Sequence, residues 1–126
     1  MGLQKTETQH GIAVDYWVIT SFPSDMIGRN GYITLRGYAT RADYKDAPNE
    51  GNPRWANYRF FIPREDFDPL YKAALDPTYP ANLHEMLYAY VTADASVLPP
   101  RADGTDVTGI EDSPFIAAAP VHEDTN

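Results

Sequence analysis

The sequence predicts an α+β domain. Its expected form is a mainly antiparallel β-sandwich or barrel-like sheet over residues 3–62, one or two short helices over 64–93, and an extended acidic C-terminal arm. Three observations predict it. Segments of period-two alternation follow one another through the first half of the chain. At Arg64 the apolar period changes to helical spacing. Beyond Asp94 the period is lost, and prolines, glycines and acids dominate. A chain of 126 residues that is 43% hydrophobic and 13% aromatic reads as one domain with a true core, burying roughly two-thirds of its unfolded surface. Within it, residues 1–93 form the β-rich core with its covering helices, and 94–126 form the loop and arm.

The elements follow in order. Residues 3–8 make a short polar strand, and Gln9-His10-Gly11 makes a turn in which Gly11 is free to take positive φ. A second strand, about 12–22, sets Ile12, Val14, Tyr16 and Val18 on one face. The other face carries Ala13, Asp15, Trp17 and Ile19, so Trp17 and Ile19 are either covered by the chain or open to a partner. Pro23-Ser24-Asp25 and Gly28-Arg29-Asn30-Gly31 are turn chemistry, with Asn30-Gly31 as the sharpest hairpin signal. From 31 to about 44, Ile33, Leu35, Gly37 and Ala39 alternate with Tyr32, Thr34, Arg36 and Tyr38. The first set faces the core, and the second is a tyrosine–arginine face suited to pairing or to a partner.

Residues 45–54 form a loop with two prolines. A strand over 55–62 places Tyr58, Phe60 and Ile62 together, and Pro63 stops it. Phe67, Leu70, Tyr71, Ala74 and Leu75 then fit a helix whose N-terminal acids are Glu65, Asp66 and Asp68. Pro69 belongs in a first turn, which puts the start near Asp66 or Asp68. Asp76-Pro77 ends that helix. Asn82 with Glu85 has capping-box spacing for a second helix carrying Leu83, Leu87, Tyr90 and Val91. A strand over 87–91 is the competing reading. Residues 94–113 form a long loop in which Arg101 is the single base, and Phe115-Ile116 with 117–119 is the apolar cluster beyond it.

Charge and composition narrow the function. The net charge is −8, which repels a phosphate backbone or an anionic membrane, so no nucleic-acid or membrane partner is expected. There are no cysteines, which removes disulfides and thiolate chemistry. Met1-Gly2 with Thr6 fits the loose N-myristoylation pattern but reads first as the start of a strand.

His10, His84 and His122 have no metal-ligand spacing, and Ser21, Ser24, Ser96 and Ser113 sit in no nucleophile elbow. Asp103-Gly104-Thr105-Asp106 hints at a calcium loop but lacks the EF-hand pattern, and reads as a solvated turn. No catalytic residue, cofactor or metal is therefore expected. The constellation that remains is aromatic: Tyr16, Trp17, Tyr32, Tyr38, Tyr44, Trp55 and Tyr58. Most of these read as core. Those at the surface suit a protein interface before a sugar site. The interface candidates are Trp17, Ile19, Tyr32, Arg36, Tyr38 and Phe115.

A family resemblance joins the two ends of the chain. Lys5-Thr6-Glu7-Thr8, Gly11-Ile12-Ala13-Val14 and Tyr16-Trp17-Val18-Ile19 resemble the start of small tailed-bacteriophage proteins encoded among tail and tail-fibre genes. Leu87-Tyr88-Ala89-Tyr90-Val91 and Pro114 to Val121 resemble that family's C-terminal pattern. Residues 45–55 and 94–113 look like insertions relative to it.

The resemblance implies a non-enzymatic structural component of the virion, assembled in the host cytoplasm. It would be a tail collar or baseplate-peripheral protein acting by symmetric assembly. The implied partners are further copies in a ring and other virion proteins of the tail tube, baseplate or fibre. The alternative is a host-surface carbohydrate-binding module of the tail. Deleting 114–126 is expected to weaken assembly while leaving the fold largely intact.

Overall fold

The structure, a computed structural model, describes residues 2–9, 12–38, 40, 42, 45, 57–110, 113–115 and 119–121. The expected turn at His10-Gly11, Ala39, Tyr44, Trp55, most of the 45–54 loop, Ile116 to Ala118 and the tail with His122 lie outside these. The protein is α+β, with a mostly antiparallel sheet and two short helices. The strands are β1 (Gly2–Gln9), β2 (Ile12–Ser21), β3 (Ser24–Asp25), β4 (Asn30–Tyr38), β5 (Asn57–Ile62) and β6 (Ala119–Val121). The helices are α1 (Arg64–Ala74) and α2 (Leu83–Val91).

The strand order is β3-β4-β2-β1-β6, with β5 also paired to β4. β2 and β3 take successive stretches of β4, since Ser21 pairs with Thr34 and Ser24 with Gly31. The described pairings form one sheet that does not close on itself. β4 ends at Tyr38 rather than near 44, and Ala42 and Lys45 have helical backbone.

The chain divides into two compact units, Met1–Ser21 with Thr34–Arg59 and Ala118–Asn126, and Phe22–Ile33 with Phe60–Ala117. In the first, β1 pairs antiparallel with β2 on one side and β6 on the other. Gly2 is paired with Val121, so the glycine of the myristoylation pattern is a strand residue here. Tyr16, Val18 and Tyr38 form a buried cluster. The alternation expected along β4 holds at Leu35 and Gly37, which are buried, and at Thr34 and Arg36, which are half-buried. It breaks at Tyr38, which is buried although its parity puts it with the outward set.

In the second unit the hairpin turn is Met26 to Arg29, one step before the Asn30-Gly31 pair that the sequence favours. Asp25 explains the shift. Its Oδ1 accepts the backbone N–H groups of Ile27 and Gly28, both at 3.0 Å, and so folds the turn locally. Arg29 takes the left-handed conformation (φ 55) that closes it. Asn30 and Gly31 then open β4 opposite Asp25 and Ser24.

Helix α1 starts at Arg64, earlier than Pro69 suggests. Pro69 is its sixth residue, past the first turn, and its missing N–H forfeits the bond to the Glu65 carbonyl. The buried face is Asp66, Phe67, Leu70 and Ala73. Tyr71 and Leu75, expected inside, are exposed. Helix α2 is a helix and not the competing strand. Asn82 Oδ1 accepts from Glu85 N at 2.8 Å, and Glu85 Oε1 accepts from Asn82 N at 3.2 Å. Its last six residues, Met86 to Val91, are all buried, so α2 is the central helix of this unit rather than an amphipathic cover.

The 94–113 segment has a single 3-10 turn, Ala95–Val97, among its described residues. It is held down at several points. Ile110 N–H donates to the Tyr90 carbonyl at 3.0 Å, a shorter bond than the one that carbonyl receives from Ala93 N–H at 3.4 Å at the end of α2. Gly109 (φ +83) allows this approach, because a Cβ there would stand 2.5 Å from that oxygen. Tyr79 Oη donates to the Val97 carbonyl at 2.7 Å, and Val107 is buried.

Candidate interaction surface

Burial sorts the six interface candidates. Trp17, Tyr38 and Phe115 are at most 1% exposed, so each is core, and the expectation that they face a partner is corrected. The Trp17 indole N–H donates to the Lys5 carbonyl at 2.9 Å, and its ring lies 5.3 Å from that of Tyr58. This answers the question of what covers the second face of β2: the chain itself covers Trp17. Phe115 meets Phe60 edge-on at 6.2 Å. Ile19 and Arg36 are half-buried, and Tyr32 is exposed.

A different set of apolar side chains is open to solvent. Met26, Ile27, Tyr32, Phe61, Tyr71 and Leu75 are exposed, and all belong to the second unit. Ile27, at the hairpin turn, is 98% exposed. Tyr32 and Phe61 pair with centroids 5.2 Å apart and planes tilted by 57°. Met26 and Tyr71 line an apolar pocket of about 330 Å³ together with Phe22, Phe67, Leu70 and Leu83. Phe67 and Tyr71, both in its lining, stack with centroids 5.8 Å apart. Single exposed apolar residues are ordinary; here two of the six line a pocket and another two form an aromatic pair.

The same unit contains a buried polar network. Asp66 is 4% exposed and its carboxylate is fully engaged. Oδ2 accepts from Tyr90 Oη at 2.6 Å, and Oδ1 accepts from Arg101 Nε at 2.7 Å. Burial and this hydrogen bond push the Tyr90 phenol well above its ordinary range, so it stays a donor. The Asp66 bond likewise raises the Arg101 guanidinium. Reading Asp66 as a helix-start acid misses this arrangement. The available signal is Arg101, the lone base of an acidic stretch.

Beside the network lies a groove of about 430 Å³ between α1 and the 99–102 segment. Its charged lining is Asp68, Lys72, Asp76 and Arg101. Asp68 faces Arg29 at 3.5 Å. Asp76 accepts from Thr78 N and Oγ1 at 2.9 and 2.7 Å, and these hydrogen bonds hold its pKa below the ordinary carboxylate range.

Asp103 Oδ1 is taken by Thr105 N and Oγ1, so the suspected calcium segment is a turn closed on itself. Among the described residues no group of three or more His, Cys, Asp or Glu is placed to hold a metal, and no helix is long and apolar enough to cross a membrane.

No family model matches the chain, and neither the curated proteins nor the solved structures hold a match to it.

Proposed function

We propose that this chain is a non-enzymatic structural protein of a bacteriophage virion, a tail collar or baseplate-peripheral component that assembles symmetrically. The observation that carries the reading is the exposed apolar set of Met26, Ile27, Tyr32, Phe61, Tyr71 and Leu75 within one unit. A neighbouring subunit that removed these side chains from water would gain about 25 cal/mol per Å² of apolar surface. Contacts of this kind, repeated head to tail, close into rings when the rotation permits. The resemblance of both chain ends to small tail-gene products supplies the setting.

Mass spectrometry of purified particles of a phage encoding this sequence tests the setting. The chain should be present at a fixed ratio to the tail proteins. Its absence from intact particles would reject a virion role.

The Tyr32–Phe61 pair favours a second reading, a host-surface carbohydrate-binding module, because exposed aromatic rings stack on sugars. Binding of the monomeric protein to a glycan array would support that reading.

A further inference from the structure

We infer that the groove beside Arg101 binds a carboxylate carried on a compact apolar body. This goes beyond the assembly reading and stands independently of it. The groove is made of Pro69, Ala73, Tyr79, Pro99, Pro100 and Ala102, with Arg101 and Lys72 as its cations. The proline rings carry no N–H, so the body of a ligand meets apolar surface, and the volume falls within the span of small-molecule sites.

Arg101 is preorganised for this role. Its Nε is tied to Asp66, which is held in turn by Tyr90. Its backbone N–H donates to the Thr105 carbonyl at 2.8 Å, and its own carbonyl accepts from Gly104 at 2.9 Å. Both the root and the Nε edge of the side chain are therefore fixed. Among the described residues, Nη1 and Nη2 have no protein acceptor. The guanidinium side chain remains 27% exposed. A planar two-donor edge of this kind matches a carboxylate. Of the acids in the lining, Asp68 is set against Arg29 and Asp76 is engaged by Thr78 and offset by Lys72; Glu65 and Asp103 also act on the guanidinium, so a ligand carboxylate must displace part of that field.

The carboxylate could come from a free small acid or from the C-terminus of a peptide, and the test separates these. The full chain is titrated with hippurate and with acetyl-Ala-Ala-Phe, each against its neutral primary amide, while backbone amide resonances are followed. Saturable shifts confined to residues 68–79 and 99–105 with the acids, and not with the amides, are expected. Saturation by hippurate identifies a small-acid site, and saturation by the peptide alone identifies a C-terminus. Arg101→Lys keeps a counter-charge for Asp66 but loses the fork, and should weaken binding about tenfold or more. Ala102→Trp, at an exposed lining position, should obstruct the groove without touching the core. Equal shifts from acid and amide, no saturable shift from either acid, or unchanged affinity in Ala102→Trp would overturn the inference.

Discussion

Gly37 lies directly opposite Trp17 across the β2–β4 ladder, and the indole occupies the space that a side chain at 37 would need. A Cβ at Gly37 would stand 2.8 Å from Trp17 Cζ3 and 2.5 Å from Val14 Cγ1. Both neighbours are fully buried, so neither has free volume to move into. Gly37→Ala should therefore destabilise the protein by about 1–3 kcal/mol, as overpacking does. The midpoint of urea unfolding reads this directly. An unchanged midpoint would mean that the indole has a second position of equal energy.

The Asp66 network should be cooperative. Tyr90→Phe removes one of the two partners of a buried carboxylate and should cost about 1–2 kcal/mol. Arg101→Ala removes the counter-charge and should cost about 2–3 kcal/mol, less than for a fully buried ion because Arg101 is partly open to water. The double variant should lose less than the two losses added together, because both act on the same carboxylate. Strict additivity in denaturant unfolding would show that the partners are independent.

His84 gives the protein a pH dependence with a defined sign. Its ring meets that of Tyr88 edge-on at 4.9 Å, and burial holds its pKa below the ordinary 6.5. Between the two values the unfolded chain binds the proton that the folded one refuses. The stabilising contribution is thus complete above about 6.5 and is lost as pH falls through the window below it. Thermal unfolding followed from pH 7.5 to 5.5 should fall more steeply for the parent chain than for His84→Gln. Parallel slopes would remove His84 from the explanation.

Phe115 reverses an expectation. Deleting 114–126 would remove a ring that is fully buried against Phe60, together with the β6 strand paired to β1. The truncation should therefore compromise the fold itself. Phe115→Ala alone should cost about 3–5 kcal/mol. A truncated chain that kept its unfolding midpoint would restore the picture of a dispensable arm.

These results show which parts of the protein were local enough to read from sequence. The capping box of Asn82 and Glu85 is legible because its partners lie three residues apart. The strands β2, β4 and β5 are legible through their alternation, and β1 as a short polar strand before a turn. The Asp66 network is not, because its partners are 24 and 35 residues away, and nothing in a run of acids marks which one turns inward. Strand β6 has three residues, too few to carry a period. The aromatic stretches named candidates of the right kind but not their sides. Trp17 and Tyr38 are inside, while Phe61 and Ile27, in segments read as strand and turn, are outside.

The central claim is assembly through that outside set, and the mass of the particle in solution tests it most directly. Sedimentation equilibrium or native mass spectrometry of the full chain should give a closed oligomer of 14.1 kDa subunits. Ile27→Asp combined with Phe61→Asp should shift it toward the single chain while circular dichroism stays unchanged. A parent chain that remains a monomer at every concentration reached would contradict the claim.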